Sequence, residues 1–147
     1  MTRKVQTFAV AALAIFVAGC ELFLNGNQNT TSVELVNNAD YAVDVDLFIS
    51  DEQDIPRDLL TSLGTKLEYT LAPGESANFF RDCDDLQAIV IDDANLRVTG
   101  SIGPDADTSV LRDGSDFFCT DNIKFTFDHT SAITDFHITV EVIPRIP

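Results

Sequence analysis

Tryptophan is missing from this sequence, and histidine occurs only twice in its 147 residues. Without tryptophan the chain cannot build an antibody-type core, which packs around one. Nucleophilic catalysis usually needs a nucleophile, a neighbouring base and a group that orients the base. His129 lies at the end of a predicted strand and His137 on the polar face of another, where histidines are usually plain surface residues. The motifs of serine hydrolases, zinc proteases and P-loop proteins are missing too, so we expect no enzyme.

Basic side chains are scarce. Lysine and arginine number 9 against 24 aspartates and glutamates, a formal net charge of −15. Such a surface repels nucleic acids and anionic lipid headgroups, so the sequence argues against a nucleic-acid partner. A salty habitat, divalent cations or a cationic partner could each explain the charge, and a simple solvated acidic surface is the favoured interpretation.

Long hydrophobic runs are also missing. The longest, Phe8–Ala18, has 11 residues and follows the basic residues Arg3 and Lys4. A permanent membrane-spanning helix needs roughly 20 apolar residues, so this run is too short to be one. A basic flank, a short apolar stretch and small residues at its end are typical of a secretory signal peptide.

Val17-Ala18-Gly19-Cys20 closes this apolar run. These four residues resemble the lipobox of bacterial lipoproteins, which has an aliphatic residue, two small residues and an obligatory cysteine. The resemblance covers residues 1–20 only. It implies that residues 1–19 are removed as a signal peptide and that Cys20, carrying a diacylglyceryl group with acyl chains such as palmitate, becomes the mature N-terminus. An ordinary signal peptide with a chance cysteine is the alternative.

The lipobox resemblance also implies a location. Each buried methylene contributes about 0.8 kcal/mol, so two or three acyl chains on Cys20 would hold a small domain firmly at a membrane. Glu21 is not the aspartate that favours inner-membrane retention in enterobacterial lipoproteins, so the outer membrane is expected if the source has two membranes. Removing residues 1–19 takes away Arg3 and Lys4 and no acid, which leaves 24 acidic against 7 basic residues and a formal charge of −17.

With Cys20 lipidated, Cys83 and Cys119 remain as an even pair in an exported, oxidising setting. A disulfide between them would close a loop of about 37 residues, worth roughly 4 kcal/mol in the chain-entropy model. A metal site is the competing use of cysteines, but no CxxC spacing or nearby histidine supports it. The sequence therefore predicts a Cys83–Cys119 disulfide.

The chain divides into three parts. Residues 1–19 are the predicted signal peptide, and residues 20–31 are the lipidated cysteine with a flexible tether, since Asn25–Thr31 is polar, uncharged and without periodicity. Residues 32–147 form a single predicted domain, for which we recognise no family.

Apolar and polar side chains alternate through this domain, as in strands with one buried face. The clearest runs are 41–49, 67–71, 123–128 and 136–142, and weaker ones are 32–36, 76–81, 86–91, 96–99 and 108–111. Turn signals separate them, among them Asp92-Asp93-Ala94-Asn95. We predict an all-β fold, an antiparallel β-sandwich of about 7–9 short strands, with a small barrel as the alternative.

At most one short helix is expected, between the second and third strands. Asp54 would cap it, Pro56 would lie in its first turn, and Gly64 would end it. Its predicted buried face consists of Leu59, Leu60 and Leu63.

Two groups of aspartates are candidates for calcium, which takes six to eight oxygen ligands in loose geometry. The first group flanks the two cysteines and consists of Asp82, Asp84, Asp85 and Asp121, and the second consists of Asp105, Asp107, Asp113 and Asp116. Neither matches the EF-hand spacing. Aspartates around turns are ordinary, because they cap backbone amides there, so the solvated alternative is preferred.

These observations favour a cell-envelope lipoprotein whose domain is a non-catalytic binding or structural module. Its expected contacts are the membrane, through the lipid on Cys20, and an envelope protein or glycan that the sequence does not identify. No cofactor is expected, with calcium as the one candidate. A calcium-dependent adhesion module, or a small accessory envelope enzyme that uses surface carboxylates, is the alternative.

Overall fold

The structure is a computed structural model that describes residues 29–98 and 101–145, with the backbone alone at residues 101 and 102. The predicted signal peptide, Cys20 and most of the tether lie outside the described residues. Within them, no helix is long and apolar enough to cross a membrane.

The described chain contains nine strands, one α-helix and one turn of 3₁₀ helix at Ile133–Asp135. The helix, α1, is Arg57–Leu63, and the strands are β1 Thr30–Asn37, β2 Ala42–Ser50, β3 Thr65–Leu71, β4 Ser76–Asp82, β5 Ala88–Val98, β6 Ser101–Ala106, β7 Leu111–Arg112, β8 Asn122–Asp128 and β9 His137–Ile143. Strand β1 therefore begins two residues before the predicted start of the domain.

The strands form two sheets, which confirms the predicted β-sandwich over the small barrel. Sheet A has the order β4-β1-β8-β9, and sheet B has the order β3-β2-β5-β6 with β7 paired to β5. All pairings are antiparallel except that of β1 with β8, which is parallel.

The core lies between the sheets and follows the predicted alternation. Every second residue of β1 and of β8 is buried. The largest fully buried side chains of this core are Leu35, Leu47, Leu71, Leu86, Ile89, Ile91, Leu96, Phe117, Ile123, Phe125 and Phe127. Burial of these apolar side chains is the main stabilising contribution to the fold.

The turn predicted at Asp92–Asn95 is wrong, because β5 runs through it. The register with β2 pairs Leu47 with Ile91 but Asp46 with Asp93, so Asp92 is an extra residue in a β-bulge. Since side chains alternate along a strand, one extra residue moves the face in the main core from odd to even positions: Ile89 and Ile91 pack there before the bulge, Ala94 and Leu96 after it. That change of phase resembles two separate strands in the sequence.

The strand predicted at 108–111 is confirmed only at its last residue, Leu111, where β7 begins. Thr108 instead exchanges hydrogen bonds with Ile91: its amide donates to the Ile91 carbonyl (3.0 Å) and its hydroxyl accepts from the Ile91 amide (3.1 Å). These bonds hold the segment between β6 and β7 against β5 without a regular strand.

The predicted helix exists, but its details differ. Pro56 rather than Asp54 occupies the N-cap, and no side chain caps it. Gly64 ends the helix as predicted, with its amide bonded to the Leu60 carbonyl at 2.9 Å. Of the three predicted core leucines only Leu60 is buried, in a small second core of Phe48, Ile55, Leu60, Ala88 and Val90 on the outer face of sheet B.

Two arginines fasten this helix to the sandwich. The Arg57 guanidinium lies 3.0 Å from a carboxylate oxygen of Asp92, in the bulge, and 3.0 Å from one of Asp107. Arg112 donates to the carbonyl of Ile55, just before the helix, at 2.9 Å. These pairs are partly exposed, so each contributes modestly, but together they fix the helix position.

Candidate functional site

The chain enters the sandwich at one end, which we call the tether end. It holds the start of β1, and the turn from β1 to β2 places the end of β2 there as well. The Ser32 amide bonds to the Asp121 carbonyl (3.1 Å), and the Gln87 amide bonds to the Ser50 carbonyl (2.8 Å). Any anchor that precedes Asn29 is attached to this end.

The predicted disulfide lies at the tether end and is confirmed. Cys83 and Cys119 are bonded, with a Cα–Cα distance of 5.3 Å. The Cys83 amide donates to the Asn29 carbonyl at 2.9 Å, and the Cys119 sulfur lies 3.7 Å from the Asn29 side-chain oxygen. The disulfide therefore joins the β4–β5 connection to the loop before β8, directly beside the first described residue.

The first aspartate group does not converge. Asp121 is buried, and its carboxylate accepts a hydrogen bond from the Phe118 amide at 2.8 Å. Asp84 and Asp85 are exposed in the turn after β4, and Asp82 belongs to β4 itself. Asp121 therefore acts as a turn cap, the ordinary role that was the alternative to calcium binding.

The second aspartate group is divided among structural contacts. Asp107 pairs with Arg57, and Asp116 accepts from the Arg112 amide at 2.9 Å. Asp105 lies in β6 opposite Asn95. One carboxylate oxygen of Asp113 is buried and has no hydrogen-bond partner within the described part of the chain.

Neither group forms a metal-binding arrangement: across residues 29–98 and 101–145, no three histidine, cysteine, aspartate or glutamate side chains are placed to share an ion. We therefore expect millimolar calcium, added to about 0.15 M sodium chloride, to leave the melting temperature unchanged, since bulk salt already screens the surface charge. A calcium site at a hundredfold excess over its Kd would add about 2.7 kcal/mol and raise the melting temperature by several degrees. A rise that chelator reverses, weaker with magnesium, would contradict this expectation.

The histidines occupy different environments. The His129 side chain is only 7% exposed, so it is not the surface residue expected from sequence. Its Nδ1 lies 2.6 Å from the Thr130 carbonyl, and its Nε2 lies 3.3 Å from the Asp40 amide nitrogen and 3.9 Å from an Asp40 carboxylate oxygen. His137 is exposed, with Nδ1 2.9 Å from the Asp135 carbonyl. Backbone contacts thus engage both rings.

Among the described residues, three ionisable side chains have shifted pKa values with structural causes. Hydrogen bonds to Glu68 (2.7 Å) and then to Asp46 raise the pKa of Lys66 above its ordinary range. The Thr130 hydroxyl and amide lower the pKa of Asp135, and partial burial raises the pKa of Tyr69. These shifts follow from surface ion pairs, a turn and packing, which is the structural rather than the catalytic origin of perturbed values.

An open groove of about 300 Å³ crosses the tether end between the two sheets. Ser50 and Thr65 of sheet B line one side of the groove, and Arg81 and Asp85 line the other. Leu63 of α1 forms part of its edge. Most of this lining is polar, so the groove does not resemble the apolar pockets that usually bind small molecules.

Apolar side chains concentrate at the same end, which the sequence predictions missed. The most exposed large hydrophobic residues of the described chain are Leu63 (76%), Phe118 (61%), Phe80 (58%), Ile143 (47%) and Leu59 (43%). All five lie at the tether end: on α1, near the ends of β4 and β9, and beside Cys119. The doublets Phe79-Phe80 and Phe117-Phe118 could have indicated this exposure. Neighbouring residues of an extended chain point to opposite sides, so only one phenylalanine of each doublet can face the core.

Comparison with known proteins gives a similarity of fold. No protein-family model and no curated protein sequence matches the chain. The crystal structure of the T6SS lipoprotein TssJ1 from Pseudomonas aeruginosa matches with a TM-score of 0.50 and 15% identity, over 80% of this chain and 98% of that one. At this identity the match shows a shared β-sandwich fold.

A second solved structure is more distant. The NMR structure of a protein from Eubacterium rectale matches with a TM-score of 0.45 and 13% identity, over 82% of this chain and 93% of that one. A match at this level carries no further conclusion.

Proposed function

We propose that this chain is a lipid-anchored protein of the bacterial cell envelope, whose β-sandwich is a non-catalytic binding or structural module. The observation that carries the proposal is Val17-Ala18-Gly19-Cys20 at the end of a short apolar run, shortly before β1. These residues resemble the sequence at which lipoprotein precursors are lipidated and cut.

Two further observations support the proposal. The sandwich resembles that of TssJ1, which is itself a lipoprotein. The disulfide suits an oxidising compartment outside the cytoplasm, where such bonds persist. With Glu21 after the cysteine, the outer membrane is the proposed location if the source has two membranes.

The proposed module acts through contact with an envelope protein or glycan. The strongly acidic surface favours partners that are neutral or basic. His129, Asp121 and Asp107 are engaged in backbone contacts, a turn and an ion pair, and we propose contact rather than chemistry as the mode of action.

Phase partition tests the anchor. Expressed in a bacterium that processes lipoproteins, the wild-type protein should enter the detergent phase, because two or three acyl chains bind detergent strongly. Cys20→Ser, which removes the acceptor thiol, should stay in the aqueous phase or keep its signal peptide. Gly19→Ala is the matched control: it keeps a small residue before the cysteine and should partition as wild type. Wild type that stays in the aqueous phase, or a Cys20→Ser chain that has lost its signal peptide and still partitions as wild type does, would refute the anchor.

A further inference from the structure

Two of the exposed apolar residues lie at opposite edges of one row on the outer face of sheet A. The strand register pairs Phe80 with Ser32, Ser32 with Asn122, and Asn122 with Ile143. The row therefore crosses all four strands, about 14 Å at the usual strand spacing. Its centre is polar but uncharged, with the Ser32 hydroxyl donating to the Asn122 side-chain oxygen at 2.8 Å.

Phe118 is exposed at the same end of the domain, in the loop before β8, and is held firmly. Its amide donates to the Asp121 carboxylate (2.8 Å), and its carbonyl accepts from the Asp121 amide (3.0 Å). The next residue, Cys119, is fixed by the disulfide. The hydrogen-bonded turn thus holds the Phe118 side chain in its exposed position.

We propose that Phe80, Phe118 and Ile143, which we call the apolar rim, rest in the interfacial layer of the membrane to which the domain is anchored. This inference depends on the proposed lipid anchor. From Cys20 to Asn29 an extended chain reaches at most about 30 Å. Since Asn29 contacts Cys119, next to Phe118, the anchor keeps this part of the rim within about that distance of the bilayer.

The tether makes a weak surface affinity sufficient. Because the anchor holds the domain near the bilayer, its effective concentration at the membrane surface is high. The anchor has therefore already met most of the entropic cost of bringing the domain to the membrane. Two aromatic rings and one branched aliphatic side chain then gain by leaving water for the boundary between headgroups and acyl chains. The expected result is a domain with its tether end on the membrane and its opposite end exposed to partners.

Charge selects the kind of lipid. The row of Phe80 and Ile143 carries no ionisable side chain, but Asp82, Asp84 and Asp85 are exposed at the same end. These acids repel anionic headgroups. The proposed surface is therefore a zwitterionic bilayer, and adding anionic lipid at low salt should weaken the contact.

A tryptophan placed in the rim reports its depth, because the natural chain has none. The lipidated variants Phe118→Trp and Ser131→Trp, purified from membranes, would be reconstituted into phosphatidylcholine vesicles with plain or brominated acyl chains. Ser131 is exposed near the start of β9, at the opposite end of the domain, and serves as the matched control. Ile143→Trp repeats the measurement at a second rim position if Phe118→Trp fails to fold.

The expected result is that bromine reduces the Phe118→Trp emission by roughly half or more, because interfacial side chains are buried roughly 5–10 Å deep, while Ser131→Trp is unaffected. Protein that floats with the vesicles but shows equal quenching at both positions would overturn the inference and leave the anchor intact. A blue-shifted but unquenched Phe118→Trp would overturn it too, and would indicate cover by the tether or a second copy. Protein that does not float at all would refute the anchor itself.

Discussion

Replacing Asn37 by aspartate should destabilise the domain by at least about 3 kcal/mol at neutral pH, although the two side chains have almost the same shape. Asn37 is fully buried at the end of β1. Its amide nitrogen donates to the carbonyls of Tyr41 (2.9 Å), Leu71 (3.0 Å) and Ala72 (3.1 Å). A carboxylate there would face three carbonyl oxygens with nothing to donate.

The pH dependence of this variant identifies the cause. Burial and the carbonyl oxygens should raise the pKa of the introduced carboxyl above its unfolded value of about 3.9. A group whose pKa is higher in the folded state destabilises it as pH rises through the interval between the two values. The loss should therefore shrink as pH is lowered toward about 4.

Urea unfolding of wild type and variant across this pH range measures the effect. Asn38→Asp is the matched control, because Asn38 is the next residue, is exposed, and should tolerate the change within about 0.5 kcal/mol. If both variants lose equally little unfolding free energy, the three hydrogen bonds of the Asn37 amide do not stabilise the domain.

Removing the disulfide with Cys83→Ala/Cys119→Ala should lower the free energy of unfolding by roughly 2–5 kcal/mol. The bond spans 36 residues of sequence, so its loss frees a long loop in the unfolded chain. It also removes the covalent link between the β4–β5 connection and the loop that carries Phe118. Amide exchange should accelerate most at the tether end, since the opposite end keeps its contacts.

Replacing both cysteines avoids a stray thiol, and Ser115→Ala is a suitable control because it alters an exposed residue of the same loop. Wild-type protein treated with a reductant should behave like the double variant. Two results together would contradict the disulfide: a double variant whose unfolding free energy is within error of wild type, and mass mapping of the wild-type protein that finds free thiols at Cys83 and Cys119.

Strand alternation carried most of the fold prediction. One face of β2 and of β8 is buried and one face of β3 and of β9 is partly buried, and the period of two is visible in their sequences without knowledge of neighbours. The sequence wrongly predicted a turn in the middle of β5, because the bulge at Asp92 depends on the pairing of β5 with β2, which is tertiary information. The parallel pairing of β1 with β8 is invisible for the same reason.

The site was predicted less well than the fold. Parity of the cysteines and the export signal were enough to predict the Cys83–Cys119 bond. The aspartate groups were misleading, because spacing along the chain does not reveal that Arg57 neutralises Asp107 or that Asp121 caps a turn. Exposure of Leu63 was also unpredictable, since a two-turn helix reveals its buried side only once it is docked.

The mass of the mature protein tests the central claim most directly. Protein isolated from the envelope of an expressing bacterium would be digested and its N-terminal peptide identified by mass spectrometry. We predict a peptide that begins at Cys20 and carries a diacylglyceryl group on sulfur. A mature chain that begins elsewhere, or a Cys20 that carries no lipid, would contradict the account of this protein as an anchored module of the cell envelope.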